Sequence, residues 1–257
     1  MPNTTGPIVR TATGPIARGI VGPPPPQADG PFSPDVVLVS WWEMQEASGT
    51  TRLDAHASND LADTNTVGRV TGHVDTYAAD FIAANSETLG IAASIPALEG
   101  GKRSYSMHCW YKPTTNVTWA GLMNHGYGAT AGQFDYGLFV NSGVVKFYVP
   151  YTPPSTYVFA TIGSALTAGT WYMIAAWFDY PTLTLSVSIN DGTVGTNVTG
   201  GNQLLHDGRF AIGEYIGNSF TDGAIGPASF HTGAYTADDV TYLYNGGNGR
   251  TYAELGY

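Results

Sequence analysis

The chain has 257 residues, of which 12% are charged, whereas glycine (33) and tyrosine (16) are abundant. This composition suits twisted strands joined by tight turns better than helices, and a β-sandwich of this size commonly forms one unit. We therefore expect an all-β protein with one domain and a tail. The formal net charge of −10 argues against a nucleic-acid binder, because phosphate contacts require clustered lysine and arginine.

The start of the chain, Met1–Thr5, lacks the basic segment and apolar run that mark a secretory signal peptide. No stretch of the sequence approaches the ~20 apolar residues of a membrane-spanning helix. We therefore expect synthesis in the cytoplasm without a signal peptide, and no membrane insertion.

Residues 1–35 form a Gly/Pro-rich segment in which Gly-Pro recurs every eight residues, beginning at Gly6 and ending at Gly30. Each proline removes a backbone donor and fixes φ, so neither a helix nor a central strand can form. The segment is predicted to be an extended arm that rises roughly 3.1 Å per residue. A disordered linker is the alternative reading of the same composition.

The eight-residue period of this repeat places equivalent side chains on one side of the predicted arm. Because eight is an even number, an extended chain directs the equivalent residue of each repeat to the same side. Such a row of side chains can be buried only against another surface, which predicts that residues 1–30 lie across another protein chain, either a symmetry mate or a shell protein. The residues assigned to this assembly arm are Ile8, Ile16, Pro24 and Phe32, together with Arg10 and Arg18.

Residues 36–257 show the period-two pattern of strands. Leu183–Ile189 alternates apolar residues with threonine and serine, which predicts a strand with one buried and one exposed face, followed by a turn at Asp191-Gly192. One short helix is predicted, Ala237–Tyr244, with Thr236 as its N-cap. Further predicted strands are Val36–Trp42, Ser104–Tyr111 with Cys109 as a core residue, 138–140 and 144–149 around an Asn141-Ser142-Gly143 turn, Thr170–Phe178, Phe210–Glu214 and Ala224–His231.

Several motifs in this order resemble the laminin-G-like jelly rolls of the concanavalin A-like lectin/glucanase superfamily. They are Leu38–Glu43 followed by Glu46–Thr50, Ala79-Asp80-Phe81, Ser104–Pro113, the Gly-Thr-Trp of Ala168–Tyr172, Phe210–Gly213, Phe220–Ile225 and Leu243–Gly247. The resemblance implies an antiparallel jelly-roll β-sandwich over residues 36–257. The chain departs from many relatives at Gly226-Pro227, where they have an acidic pair. Relatives include lectins, glycan-binding modules, glucanases and structural virion or adhesin domains, so fold alone does not choose the function.

The sequence gives little indication of catalysis. Retaining glycosidases need two carboxyl groups about 5–5.5 Å apart, whereas Glu43 and Glu46 are three residues apart and would point to opposite faces of a strand. The histidines lack zinc-ligand spacing. We therefore expect a protein that is not an enzyme and needs no cofactor. A structural calcium ion remains an alternative, with Asp54, Asn59 and Asp222 as candidate ligands; otherwise these residues shape turns.

Aromatic residues flank two loops of the predicted sandwich. Trp119, Tyr127 and Tyr136 lie around the Gly-rich loop 121–132, and Tyr148 and Tyr151 lie before a Pro-Pro loop at 153–154. Rings clustered near one edge can stack on a sugar or contact a protein, because both tasks use flat amphipathic surfaces with a polar tip, or they can pack in the core and its loops. The sequence leaves these three readings open.

Two functions follow from these features. The first hypothesis is a structural virion protein of a tailed phage, decoration or fibre-associated, which is displayed on the virion surface as a homo-oligomer and held to neighbouring subunits by its arm. The alternative is a carbohydrate-binding module that attaches a particle or a cell to a surface glycan.

Overall fold

The computed structural model describes residues 32–257 except 116–117, 127–133, 152–155, 164, 204–207, 216 and 218. Six of the residues predicted to make contacts lie outside the described residues: Ile8, Arg10, Ile16, Arg18, Pro24 and Tyr127. No helix in the described part of the chain is long and apolar enough to cross a membrane.

Within the described residues, all but two of the strands form two antiparallel sheets that pack face to face, and the remaining two form a separate hairpin. The eight-stranded sheet contains β1 (Val37–Trp42), β3 (Gly68–Thr71), β4 (Tyr77–Phe81), β6 (Tyr105–Pro113), β11 (Tyr172–Asp179), β12 (Thr184–Ile189), β13 (Val194–Val198) and β17 (Gly223–Thr232). The seven-stranded sheet contains β2 (Ala62–Thr64), β5 (Thr88–Ile91), β7 (Ala120–Gly126), β8 (Phe134–Asn141), β9 (Val144–Tyr151), β10 (Thr156–Ile162) and β14 (Arg209–Ile212).

Many neighbouring strands in each sheet are far apart in the sequence. The first sheet runs β13-β12-β11-β6-β17-β4-β3, with β1 also paired to β17, and the second runs β10-β9-β8-β7-β14-β5-β2. The long strand β17 pairs with β4 before a bulge between Ile225 and Ala228 and with β1 after it. The bulge contains Pro227, which has no N–H to donate to the ladder. The predicted antiparallel β-sandwich is confirmed.

The main core lies between the two sheets. Tyr105, Met107, Cys109 and Tyr111 of β6 all face it, as their alternation predicts. Burial raises the pKa of the Cys109 thiol, so this residue packs as a small apolar group and is not a nucleophile.

A second apolar layer covers the outer face of the eight-stranded sheet. It contains Trp41, Trp110 and Met173 from the strands and Val240 and Leu243 from a helix, α1 (Ala237–Tyr244). The helix begins as predicted, with Thr236 as N-cap in a capping box completed by Asp239.

This layer corrects one sequence-based expectation. Ser186 and Ser188 of β12, predicted to be on an exposed face, are buried. Their partners across the ladder are Trp177 and Ala175 of β11, which belong to the covering layer or pack against it. Alternation identified the two faces of the strand, but it did not reveal that both are covered.

Phe32 also belongs to this layer. Its ring lies edge-on to His231, with centroids 4.7 Å apart, and 5.6 Å from Tyr242, and it is buried. The backbone N–H of Ser33 donates to Asp239 Oδ1 at 2.7 Å. The assignment of Phe32 to a row that faces another chain is therefore corrected: helix α1 supplies an apolar surface within the same chain.

Candidate ligand-binding face

The outer face of the seven-stranded sheet carries a cluster of aromatic rings. Tyr148 of β9 is directly opposite Gly137 of β8 and Phe159 of β10, and Phe139 is opposite Lys146. Residues opposite each other in a ladder share a face of the sheet, so these side chains all point away from the main core. We call this surface the aromatic face; its rings are Trp119, Phe134, Phe139, Tyr148, Tyr157, Phe159 and Tyr215.

Gly137 allows the Tyr148 ring to lie flat on the sheet. A Cβ at position 137 would be 2.1 Å from Tyr148 Cε1 and 2.6 Å from Asn124 Oδ1. Both distances are far below van der Waals contact, so any larger residue at this position would displace the ring.

A small two-stranded hairpin, β15 (Glu214–Tyr215) and β16 (Ser219–Phe220), places Tyr215 over the sheet. Its backbone crosses β7 where a Cβ at Gly121 would be 1.8 Å from the Glu214 carbonyl oxygen. Asn124 Nδ2 donates to the same carbonyl at 2.5 Å. The Tyr215 ring thereby comes within 4.6 Å of the Phe139 ring.

The predicted strand Phe210–Glu214 is therefore two elements rather than one. The chain leaves β14 at Gly213, whose φ of 91° suits glycine, and continues into the hairpin.

Trp119 stacks on Tyr215, with centroids 5.2 Å apart and planes 9° apart. Its φ of 124° lies in a region that residues with a Cβ disfavour. Backbone strain of this kind persists only where surrounding contacts hold it, and it is concentrated at functional sites.

The rings differ in exposure. Phe139 and Tyr148 are buried, Trp119, Tyr157 and Tyr215 are half-buried, and Phe159 is 37% exposed. Burial raises the pKa of Tyr215 to about 12 and that of Tyr148 well above 10, so both phenols are neutral at physiological pH. The face therefore combines flat apolar rings with uncharged hydroxyl groups, a combination that suits stacking on a sugar or a protein contact.

The structure separates the aromatic residues singled out from the sequence. Trp119 and Tyr148 belong to the aromatic face. Tyr136 faces the opposite way: its hydroxyl donates to the Leu98 carbonyl at 2.7 Å and its ring is fully buried in the main core, so it cannot contact a ligand. Tyr151 is half-buried at the end of β9, where it forms an isolated bridge with Gln203.

Sequence reasoning missed Phe139, Phe159 and Tyr215 as members of this surface. The alternation of Tyr157 and Phe159 with Val158 and Ala160 was a usable signal for β10. Tyr215 had no such signal, because its position depends on the hairpin that crosses β7.

Two of the calcium candidates, Asp54 and Asn59, are hydrogen-bonded to each other, whereas Asp222 has a different partner. Asp54 accepts backbone N–H groups from Trp41, His56 and Asn59 at 3.0, 3.0 and 3.2 Å, which indicates a role in shaping a turn. Asp222 accepts the Thr115 hydroxyl at 2.8 Å. Across the described ranges, no three His, Cys, Asp or Glu residues are grouped so that they could hold a metal ion.

Both acids considered for catalysis accept backbone N–H groups. Glu43 Oε1 accepts from Tyr252 at 2.9 Å, and Glu46 Oε1 accepts from Leu53 at 2.7 Å. Glu43 thus holds the C-terminal segment and Glu46 holds the following loop.

The sequence of residues 86–241 matches the laminin G family described as the concanavalin A-like lectin/glucanases superfamily. Because this match covers more than half of the chain, the protein belongs to that superfamily. A comparison with curated proteins found no match.

Solved structures share the fold at low sequence identity. The binding domain of Paraclostridial Mosquitocidal Protein 1 is 11% identical with a TM-score of 0.63, over 82% of this chain and 52% of that chain. Domain 4 of the GH43 arabinanase AbnA from Geobacillus stearothermophilus, in complex with arabinotriose, is 17% identical with a TM-score of 0.58, over 80% and 98%. The botulinum neurotoxin serotype D ligand-binding domain, in complex with N-acetylneuraminic acid, is 11% identical with a TM-score of 0.57, over 82% and 51%. The chain thus spans about half the length of these toxin domains.

Proposed function

We propose that this protein is a carbohydrate-binding module and that the aromatic face is its binding site. The observation that carries the proposal is the set of partly exposed rings fixed on the outer face of one sheet. Phe159 is 37% exposed, and Trp119 is held in a strained backbone conformation against Tyr215. Rings presented in this way can cover the apolar face of a sugar while their polar tips remain near its hydroxyl groups.

The solved neighbours support this proposal. Two of them are binding domains whose structures contain arabinotriose or N-acetylneuraminic acid. We further propose that the protein binds without catalysis, since Glu43 and Glu46 hold backbone segments rather than forming a carboxyl pair.

Screening the full chain against immobilised glycans tests the proposal. We expect at least one glycan to bind, and Phe159→Ala or Trp119→Ala to weaken this binding about tenfold. Tyr77→Ala is the matched control, because Tyr77 is an equally exposed ring on the other sheet. Binding that both variants retain in full would locate the site elsewhere.

A second candidate function is attachment to neighbouring subunits through residues 1–31, in a virion as the sequence suggests. It rests on the Gly-Pro repeat of the sequence, which recurs every eight residues from Gly6 to Gly30. Removing residues 1–31 should abolish incorporation into the parent particle, and occupancy is measured by quantitative gel analysis of purified particles. Normal occupancy of the truncated chain would refute anchoring by the arm.

A further inference from the structure

Five rings of the aromatic face form a row across four strands; four of them are partly exposed and the fifth, Phe139, is buried beneath its neighbours. Trp119 immediately precedes β7 and contacts Tyr215, which contacts Phe139 of β8 at 4.6 Å. Phe139 in turn lies 6.2 Å from Phe159 of β10, and Phe159 lies 6.5 Å from Tyr157. The row therefore crosses the sheet from β7 over β8 and β9 to Phe159 of β10, and Phe159 and Tyr157 then follow each other along β10.

The length of the row determines how much ligand it can hold. Neighbouring strands are about 4.8 Å apart, so the distance from β7 to β10 is roughly 15 Å. A sugar ring is about as wide as an aromatic ring, so the row has room for about three sugar rings placed side by side. A single terminal sugar would leave most of these rings uncovered.

The charges beside the row indicate a neutral ligand. Lys146 is a cation beside these rings, with its Nζ 5.8 Å from the Phe159 ring centroid. Glu214 is paired with Arg209. A polymer with a carboxylate on every sugar would need several cations along its path.

Two cavities among the described residues are lined by residues outside this row. One of about 230 Å³ is lined by the loop from Pro96 to Arg103. Another of about 320 Å³ lies between Ile162, Tyr172 and Ile189. Neither of these two cavities encloses a ring of the aromatic face.

We propose that the aromatic face binds an internal stretch of a linear, neutral oligosaccharide, about three sugars long, that crosses β7 to β10. This inference rests on the proposed carbohydrate-binding function. It adds the ligand class, the direction of the ligand across the sheet, and the residues at the two ends of the site. Trp119 contacts one end of the bound segment and Tyr157 contacts the other.

Isothermal titration with neutral gluco-, xylo- and arabino-oligosaccharides, from the monosaccharide to the hexasaccharide, tests the length of the site. For the series that binds, we expect affinity to rise by about tenfold or more between one and three sugars and then to level off. Trp119→Ala and Tyr157→Ala should each reduce the affinity for the trisaccharide and longer chains, with Tyr77→Ala as the control.

The outcomes separate this inference from the function on which it rests. A monosaccharide that binds as tightly as the hexasaccharide would overturn the extended site and leave carbohydrate binding intact. Tighter binding of an acidic series such as oligogalacturonides would also overturn the inference and leave carbohydrate binding intact. The same holds if the ligand found in the glycan screen is not a neutral chain. If no glycan binds in either experiment, the carbohydrate-binding function itself is wrong.

Discussion

At the scale of single residues, the backbone of Trp119 is the least expected feature of the aromatic face. Its φ of 124° is a conformation that glycine adopts easily, yet the residue here is the largest of all. The strain is tolerated because the indole stacks on Tyr215, which is itself fixed by the hairpin that crosses β7. The strained backbone of Trp119 thus reduces the stability of the fold, while it keeps the indole ring stacked on Tyr215.

Comparing two substitutions at position 119 measures this cost. Both Trp119→Gly and Trp119→Ala remove the stacked ring, but only glycine relaxes the backbone. We expect the glycine variant to be more stable by about 1 kcal/mol in urea unfolding. At Tyr157, inside strand β10, the same pair should show the opposite order, with alanine more stable. Equal stabilities at position 119 would mean that its backbone is not strained.

At the scale of secondary-structure elements, two histidines lie between β6, β17 and helix α1. His108 Nδ1 is 2.5 Å from Ser229 Oγ, and His231 Nδ1 is 2.7 Å from the Tyr235 hydroxyl. Burial lowers the pKa of His108 to about 3 and that of His231 well below 6.5. Both are neutral in the folded protein at neutral pH.

The depressed pKa values predict acid sensitivity. Above pH 6.5 both histidines are neutral whether the chain is folded or unfolded, so they contribute no pH dependence. As pH falls from about 6.5 towards 3, the unfolded chain binds protons that the folded chain excludes, and stability should fall by up to roughly 1.4 kcal/mol per pH unit for each histidine. His108→Gln should flatten the dependence measured by urea unfolding between pH 7 and 4. An unchanged slope would show that other groups cause it.

The sequence predicted some features of these elements correctly and missed others. The alternation in β6 and the capping residues of α1 are local signals, so the inward face of the strand and the bounds of the helix were predicted correctly. Tyr136 and Tyr148 have opposite orientations, which follow from how β7, β8 and β9 pair and where β7 and β8 bulge. Pairing and bulges are long-range properties, and the sequence of one strand does not determine them.

At the scale of the whole molecule, the described part of the chain begins at Phe32, whose ring is packed in the outer layer of the sandwich. Three residues, 33–35, separate this ring from the start of the predicted domain at residue 36, and one of them, Ser33, is hydrogen-bonded to helix α1. The segment predicted as an arm, residues 1–35, therefore overlaps the body in sequence, because Phe32, a residue of the Gly-Pro repeat, also fills the outer layer of the sandwich.

Two truncations test where the body begins. A chain that starts at Phe32 should melt within a few degrees of the full chain. A chain that starts at Val36 loses the buried phenyl ring and the Ser33 hydrogen bond, at a cost of about 3 kcal/mol or more, and should melt roughly 5–10 °C lower in a calorimetric scan. Equal melting of the two chains would place the boundary after residue 35.

Phe32 and the aromatic face lie on opposite sides of the sandwich. Phe32 is attached to the outer layer on the eight-stranded sheet, whereas the aromatic face lies on the outside of the other sheet. A chain tethered through residues 1–31 would therefore turn its rings away from the surface that holds it. Copies arrayed side by side would present many weak sites to one polymer. Because a polymer bound at one site is held close to the next, its overall affinity for the array would exceed that for a single site by on the order of 10²–10⁴-fold without any new contact.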